Sequence, residues 1–165
     1  MLDINWAATF QNMPPELATL LIGMIPIAEL RGAIPVALVS FDLPVWSAYL
    51  WAVVGNMIPV VFLLLYLESI AQWLSKRGRI FQKFFDWLFA RTRRKFSSGV
   101  QKYGLFLALT IFVAIPLPVT GAWTGAAAAF LFGMPFRRAF LAILLGVLIA
   151  GVIVTLTTIG IQSVT

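Results

Sequence analysis

The charged residues of this chain are bunched, and the charge-free runs between them, 17–28, 32–41, 43–67, 103–136 and 139–165, set the lengths of its apolar elements. A helix rises about 1.5 Å per residue, so crossing a hydrocarbon core of about 30 Å takes roughly 20 apolar residues, and half a crossing roughly 10. Runs 43–67 and 139–165 are long enough to cross. Runs 17–28 and 32–41 suit half a crossing each and flank a polar tip, Glu29-Leu30-Arg31-Gly32. The run 103–136 carries Pro116-Leu117-Pro118 and then Gly121 at its middle, where two prolines remove backbone donors and favour a break. The pattern predicts two broken-helix hairpins, 16–41 and 103–134, each followed by a long transmembrane helix, 44–75 and 136–162.

Composition turns that pattern into a class. Of 165 residues 61% are hydrophobic and 11% charged, and a mean hydropathy of +0.97 lies well outside the soluble range. The expectation is an all-α integral membrane protein forming a single membrane domain over 1–165. The chain has neither Cys nor His, which removes disulfides, thiol nucleophiles, the usual zinc ligands and the histidine general base. No enzymatic activity, cofactor or metal is expected. Twelve basic against six acidic residues leave a net charge of +6, and on so apolar a chain this points to loop topology and anionic lipid headgroups rather than nucleic acid.

Where the basic residues sit decides between hairpins and full spans. Nine of the twelve, Lys76, Arg77, Arg79, Lys83, Arg91, Arg93, Arg94, Lys95 and Lys102, fall in 76–102, so that loop is expected on the cytoplasmic side of a multi-pass protein of the cell (inner) membrane. Arg137 and Arg138 share that side only if 103–134 dips in and returns. Residues 1–28 carry no Lys or Arg and the 40–45 linker carries only Asp42, which places both outside. The first re-entrant hairpin then enters from outside and the second from inside. Within the loop, Ile80 to Phe96 alternates aromatic and charged residues and reads as an amphipathic helix lying on the cytoplasmic leaflet. No cleavable signal peptide is expected, since the N-terminus lacks a basic start and leads into Pro14-Pro15.

An internal repeat supports the same plan. At an offset of 90, Ile25-Pro26 matches Ile115-Pro116; at 91, Phe41, Pro44, Ala48, Leu50, Gly55 and Ile58 match Phe132, Pro135, Ala139, Leu141, Gly146 and Ile149. Each copy, 16–75 and 103–165, is a hairpin with a Pro-containing tip, a short linker and a long helix. Because each copy crosses the membrane once, the two have opposite orientation, which is the inverted-repeat plan of secondary transporters.

The chemistry available lies at the two tips. Glu29 and Arg31 are ionisable groups at membrane depth, where charges are expensive and line cavities, pair or titrate; the alternative is mutual neutralisation and capping of the hairpin backbone. Gly32 belongs to the same tip. The second tip, Pro116, Pro118, Thr120, Gly121, Trp123 and Thr124, offers irregular backbone, two hydroxyls and an indole N–H, with N–H groups that suit an anion and carbonyls that suit a cation. Its alternative reading is hairpin packing, since Gly121 and Gly125 form a GxxxG followed by four alanines. Asn56 and Pro59 are expected to kink the first long helix. A structural interhelical hydrogen bond is the simpler reading of Asn56, and one to a hairpin tip the functional one. Glu68 reads as a snorkelling surface charge.

The segment from Pro26 to Pro35, PIAELRGAIP, and that from Pro116 to Gly125 together resemble the paired signatures of the small multidrug export protein family, with the resemblance covering 17–162. That family is remotely similar to the DedA and VTT membrane proteins, which carry facing re-entrant hairpins and are linked to moving polyprenyl-phosphate or phospholipid headgroups. The resemblance implies a small secondary-type transporter or flippase, with Glu29 and Arg31 as the first hairpin's charged pair. It departs from the pattern at Val119, where Gly is expected, and in lacking the second-hairpin arginine of DedA members, which leaves Arg31 alone to meet a phosphate at depth. The substrate site is expected between the facing tips, with Glu29 as a proton-coupling acid, Arg31 as the anion contact and Thr120, Trp123 and Thr124 as the opposite wall. A multidrug or cation exporter and a non-transporting membrane scaffold are the alternatives. A homodimer or larger homo-oligomer is expected through small-residue faces such as Gly146-xxx-Ala150.

Overall fold

The computed structural model describes residues 9–10, 12–75, 104–116 and 120–163, with side chains described as far as 67 in the helix that ends at Ser75. The basic loop 76–102 with its expected interfacial helix, Pro118 and the Glu68 side chain lie outside the described residues. Among the described residues there are six helices of ten residues or more: α1 (Pro15–Met24), α2 (Glu29–Val39), α3 (Val45–Ser75), α4 (Gly104–Ala114), α5 (Ala122–Leu131) and α6 (Phe136–Gln162). Among the described residues there is no strand. The order short, short, long occurs twice. At about 1.5 Å per residue the short helices reach about 15–17 Å, and α3 and α6 exceed a hydrocarbon core.

Local chemistry explains where the helices start and stop. Pro15 occupies the first turn of α1, where a missing N–H costs nothing. The two long helices begin alike: Ala48 N–H bonds Pro44 O, and Ala139 N–H bonds Pro135 O, each at 3.0 Å. The α5 helix closes through Gly133 at φ 63°, which lets Met134 N–H turn back onto Ala129 O at 2.9 Å. The α3 helix runs through Asn56 and Pro59 without interruption.

Packing follows the small residues. The α1 helix lies along α3, α2 contacts both α3 and α6, and α5 contacts α3 and α6, while the two long helices touch each other. Glycines matched by the repeat hold equivalent places. A Cβ on Gly55 would overlap the Leu20 carbonyl of α1, and one on Gly146 would lie 2.8 Å from the Thr110 carbonyl of α4. Leu20 and Thr110 are themselves 90 residues apart. The Thr110 hydroxyl reaches Ala142 O of α6 at 3.1 Å, and Tyr49 OH donates to Leu148 O at 2.9 Å, tying α3 to α6. Gly146 and Ala150, expected on a face between copies, are instead buried inside the chain. Backbone approach within the protomer already uses them.

The outer surface is apolar. Ile27 is 79% exposed, Trp46 70% and Leu156 65%, and many other large apolar side chains of the described helices are exposed with them, which suits an apolar surrounding better than water. Only 39% of the apolar window of α3 and 50% of that of α6 are buried. Lipid, not a water-shielded core, is the surrounding these helices suit.

Candidate functional site

The first tip is built to bring one carboxylate to the second. After α1 the chain turns through Ile25 N–H on Ile22 O at 3.1 Å and Glu29 N–H on Ile25 O at 2.9 Å. Glu29 itself sits at φ 46°, a left-handed conformation that costs a side chain other than Gly or Asn about 1–2 kcal/mol and is held only where the surroundings demand it. The demand comes from α5. The Glu29 carboxylate accepts the backbone N–H of Trp123, in the first turn of α5, whose N-cap residue Gly121 makes no side-chain cap of its own. Free N–H groups and the positive helix end both favour an anion there. Glu29 therefore caps, from the other half of the chain, a helix that its own sequence leaves uncapped.

Gly121 makes that approach possible. A Cβ at this position would overlap both carboxylate oxygens of Glu29. Its partner in the GxxxG pattern does something else, since a Cβ on Gly125 would lie 2.6 Å from Val113 of α4, so Gly125 serves hairpin packing. The two readings of this motif divide between its two glycines.

Arg31 follows two residues later and is placed differently. Its Nη2 lies 3.8 Å from Glu29 Oε2, with 26% of the Arg31 side chain exposed against 8% for Glu29. That separation exceeds a hydrogen bond. The guanidinium thus balances the carboxylate electrostatically without the bidentate geometry that would occupy its donors.

Glu29, Leu30, Arg31, Asn56, Pro116, Thr120 and Gly121 line one cavity together with Val113, Ala122 and the α6 residues Val147, Ala150 and Val154. Its volume is about 10 Å³, close to what one water molecule needs. Asn56 is 2% exposed, yet its Oδ1 has no hydrogen-bond partner among the described residues. The interhelical bond expected of it is not made through that oxygen. Thr120 lines the cavity while its hydroxyl donates to Ile115 O at 2.7 Å, bridging the break between α4 and α5.

Three expected site residues stand elsewhere. Gly32 packs toward Ala28 within its own hairpin. Thr124 is exposed and donates to Gly121 O at 3.2 Å, which keeps it with its own helix end. Trp123 contributes its backbone N–H to Glu29, but its ring lies in a separate apolar groove with Met24, Ile25, Pro26, Pro59, Phe62, Leu63 and Tyr66. Its buried Nε1 has no partner among the described residues. The facing wall expected from Thr120, Trp123 and Thr124 is therefore made by Thr120, Gly121 and the small residues of α6. Those α6 residues carry no sequence signal, because Val and Ala on a charge-free helix look the same whether they face a site or lipid.

A family model described as "Putative small multi-drug export protein" matches residues 29–153. The chain belongs to this family. The matched stretch begins at Glu29 and contains both hairpin-tip groups, Asn56 and most of α6. No curated protein and no solved structure matches the chain.

Proposed function

We propose that this family member is a secondary-type membrane transporter or flippase that handles its substrate between the two hairpin tips. The observation that carries the reading is the Glu29–Arg31 pair. It is a buried acid and a loosely held base where the two halves meet, in a chain whose exterior suits lipid. Ionisable groups at such depth are costly, and a scaffold gains more from apolar packing.

Of the two groups, Arg31 is the one with donors to spare. Glu29 is engaged by the α5 backbone, whereas Arg31 is the more exposed and sits beyond hydrogen-bond distance of its counterion. An anionic headgroup such as a polyprenyl or phospholipid phosphate is accordingly the favoured substrate class, with export of a cationic small molecule the alternative. The cavity of about 10 Å³ holds no phosphate, so the tips must separate to admit one. Half-membrane helices in a repeated short, short, long order, with glycines in equivalent contacts, support re-entrant hairpins in an inverted repeat. The two halves would rock about the tips, alternating access. The basic loop 76–102 then lies in the cytoplasm of a multi-pass inner-membrane protein, in contact with anionic lipid, and the protein works as a homodimer or larger homo-oligomer.

One observation favours the scaffold instead, namely that Glu29 caps α5 and leaves so little space. Proteoliposome flux separates the readings. Arg31→Ala should weaken translocation of a fluorescent phosphate-headgroup lipid, and if the cargo is a cationic dye, Glu29→Ala should abolish its export. Purified, folded variants that leave both fluxes unchanged would refute transport through this site.

A further inference from the structure

Asn56 is the residue the site leaves unexplained. It lies on α3, not on either hairpin, and 98% of its surface is removed from solvent and lipid. A buried amide oxygen without a donor is uncommon and calls for a partner that the described residues do not supply. Asn56 lines the same cavity as Glu29, and that cavity has room for about one water-sized guest. Two acceptors stand among its lining side chains. The Glu29 carboxylate is one and Asn56 Oδ1 another, while the Thr120 hydroxyl has already committed its proton to Ile115 O. Among the described residues lining the cavity, Arg31 is the one cationic group and Glu29 the one acid.

We infer that Asn56 Oδ1 and the Glu29 carboxylate hold between them a guest of one heavy atom that offers positive charge density, either a water molecule donating to both or a bare alkali cation. Both guests satisfy the same two oxygens. Three elements meet at this point: α3 supplies Asn56, the start of α2 supplies Glu29, and the break between α4 and α5 supplies Thr120 and Gly121. Discontinuous helices that meet a continuous one are where unwound backbone and side-chain oxygens take up coupling ions. The guest therefore links the long helix of the first half to that half's own tip, beside Thr120 and Gly121 of the second tip, at a position where its arrival or loss changes what holds the tips together. Its function as a coupling site rests on the transport reading above, but its presence does not.

The deciding experiment is a structure of the full chain in lipid nanodiscs at a resolution that shows single waters, in sodium chloride and again in choline chloride. A single density peak is expected between Asn56 Oδ1 and the Glu29 carboxylate, within about 2.3–3.2 Å of both. A peak in both media identifies water, and a peak confined to sodium identifies the cation. Absence in both overturns the inference. Asn56→Leu removes the acceptor at similar volume and should erase the peak and slow gradient-driven flux by roughly tenfold, the worth of one hydrogen bond to a charged group. Asn56→Asp, which keeps the oxygen in place, should retain both. Wild-type density needs no variant to fold. If Asn56→Leu keeps full flux while Arg31→Ala loses it, the coupling role fails and the transporter stands. If neither variant alters flux while the peak is seen, the transport reading fails and the bound guest stands.

Discussion

Gly121→Ala tests whether the Glu29 carboxylate truly closes the contact between the halves. The new methyl would overlap Glu29 Oε1 and Oε2, atoms at the free end of a flexible side chain, so the steric conflict is relieved by moving the carboxylate. Relief has its own cost, because the carboxylate leaves the Trp123 N–H and the positive end of α5. A hydrogen bond to a charged group contributes about 1.5–3 kcal/mol, and the Arg31 pairing at 3.8 Å adds little to that in a partly exposed setting. The expected destabilisation is thus about 2–3 kcal/mol. Thermal unfolding in detergent would measure it, in wild type and in a Glu29→Ala background. On the second background the methyl meets no carboxylate, so most of the cost should vanish and the coupling energy should approach the single-variant cost. Any intrinsic penalty for alanine at φ 158° appears in both backgrounds and cancels. Gly125→Ala, whose Cβ meets Val113, should be additive with Glu29→Ala. If Gly121→Ala costs the same in both backgrounds to within about 0.5 kcal/mol, the carboxylate is not what Gly121 accommodates and the reasoning is wrong.

Other consequences are simpler to check. Gly55→Ala puts a methyl onto the backbone carbonyl of Leu20, which cannot swing away, and should cost at least the 1–3 kcal/mol of an overpacked core. Gly160→Ala on α6 meets nothing within 4 Å and should be neutral or stabilising by up to about 1 kcal/mol in the same melts. Arg31→Ala should lower stability by less than about 1 kcal/mol while reducing flux; a large loss of stability with unchanged flux would make the pair structural. Because the chain has no cysteine, single cysteines replacing Asp42 and Thr92 report orientation through a membrane-impermeant maleimide. Labelling from outside is expected at 42 and not at 92, and the reverse would invert the topology.

Several features of the site were legible in the residues. Glu29 and Arg31 stand out because charge is rare in this chain, and Asn56, Pro116, Thr120 and Gly121 because polar or helix-breaking residues interrupt apolar runs. All six line one cavity. Trp123 and Thr124 were legible as chemistry but not as placement. A helix of ten residues turns its side chains through every direction, and which ones face a partner depends on its rotation. The Trp123 ring and the Thr124 hydroxyl fall away from the cavity while the Trp123 N–H points at Glu29. Gly146 and Ala150 misled for a related reason: small residues permit close approach without saying which helix approaches, and here it is α4 and the cavity rather than a second copy.

By itself the sequence determined the membrane class, the all-helical content and the break between α4 and α5, because the spacing of charges and prolines along a chain is read in one dimension against the helical rise and bilayer thickness. The first break falls at 25–28, just ahead of the charged tip, with Glu29, Arg31 and Gly32 inside α2. Only the tertiary structure decided that Glu29 caps α5, that Gly121 is small for its sake and that Asn56 is left with an unanswered oxygen. Each depends on contacts between residues far apart in the chain, made by packing the two halves against each other. Capping, overlap and orphaned acceptors are distances in space, and neither composition nor periodicity encodes them.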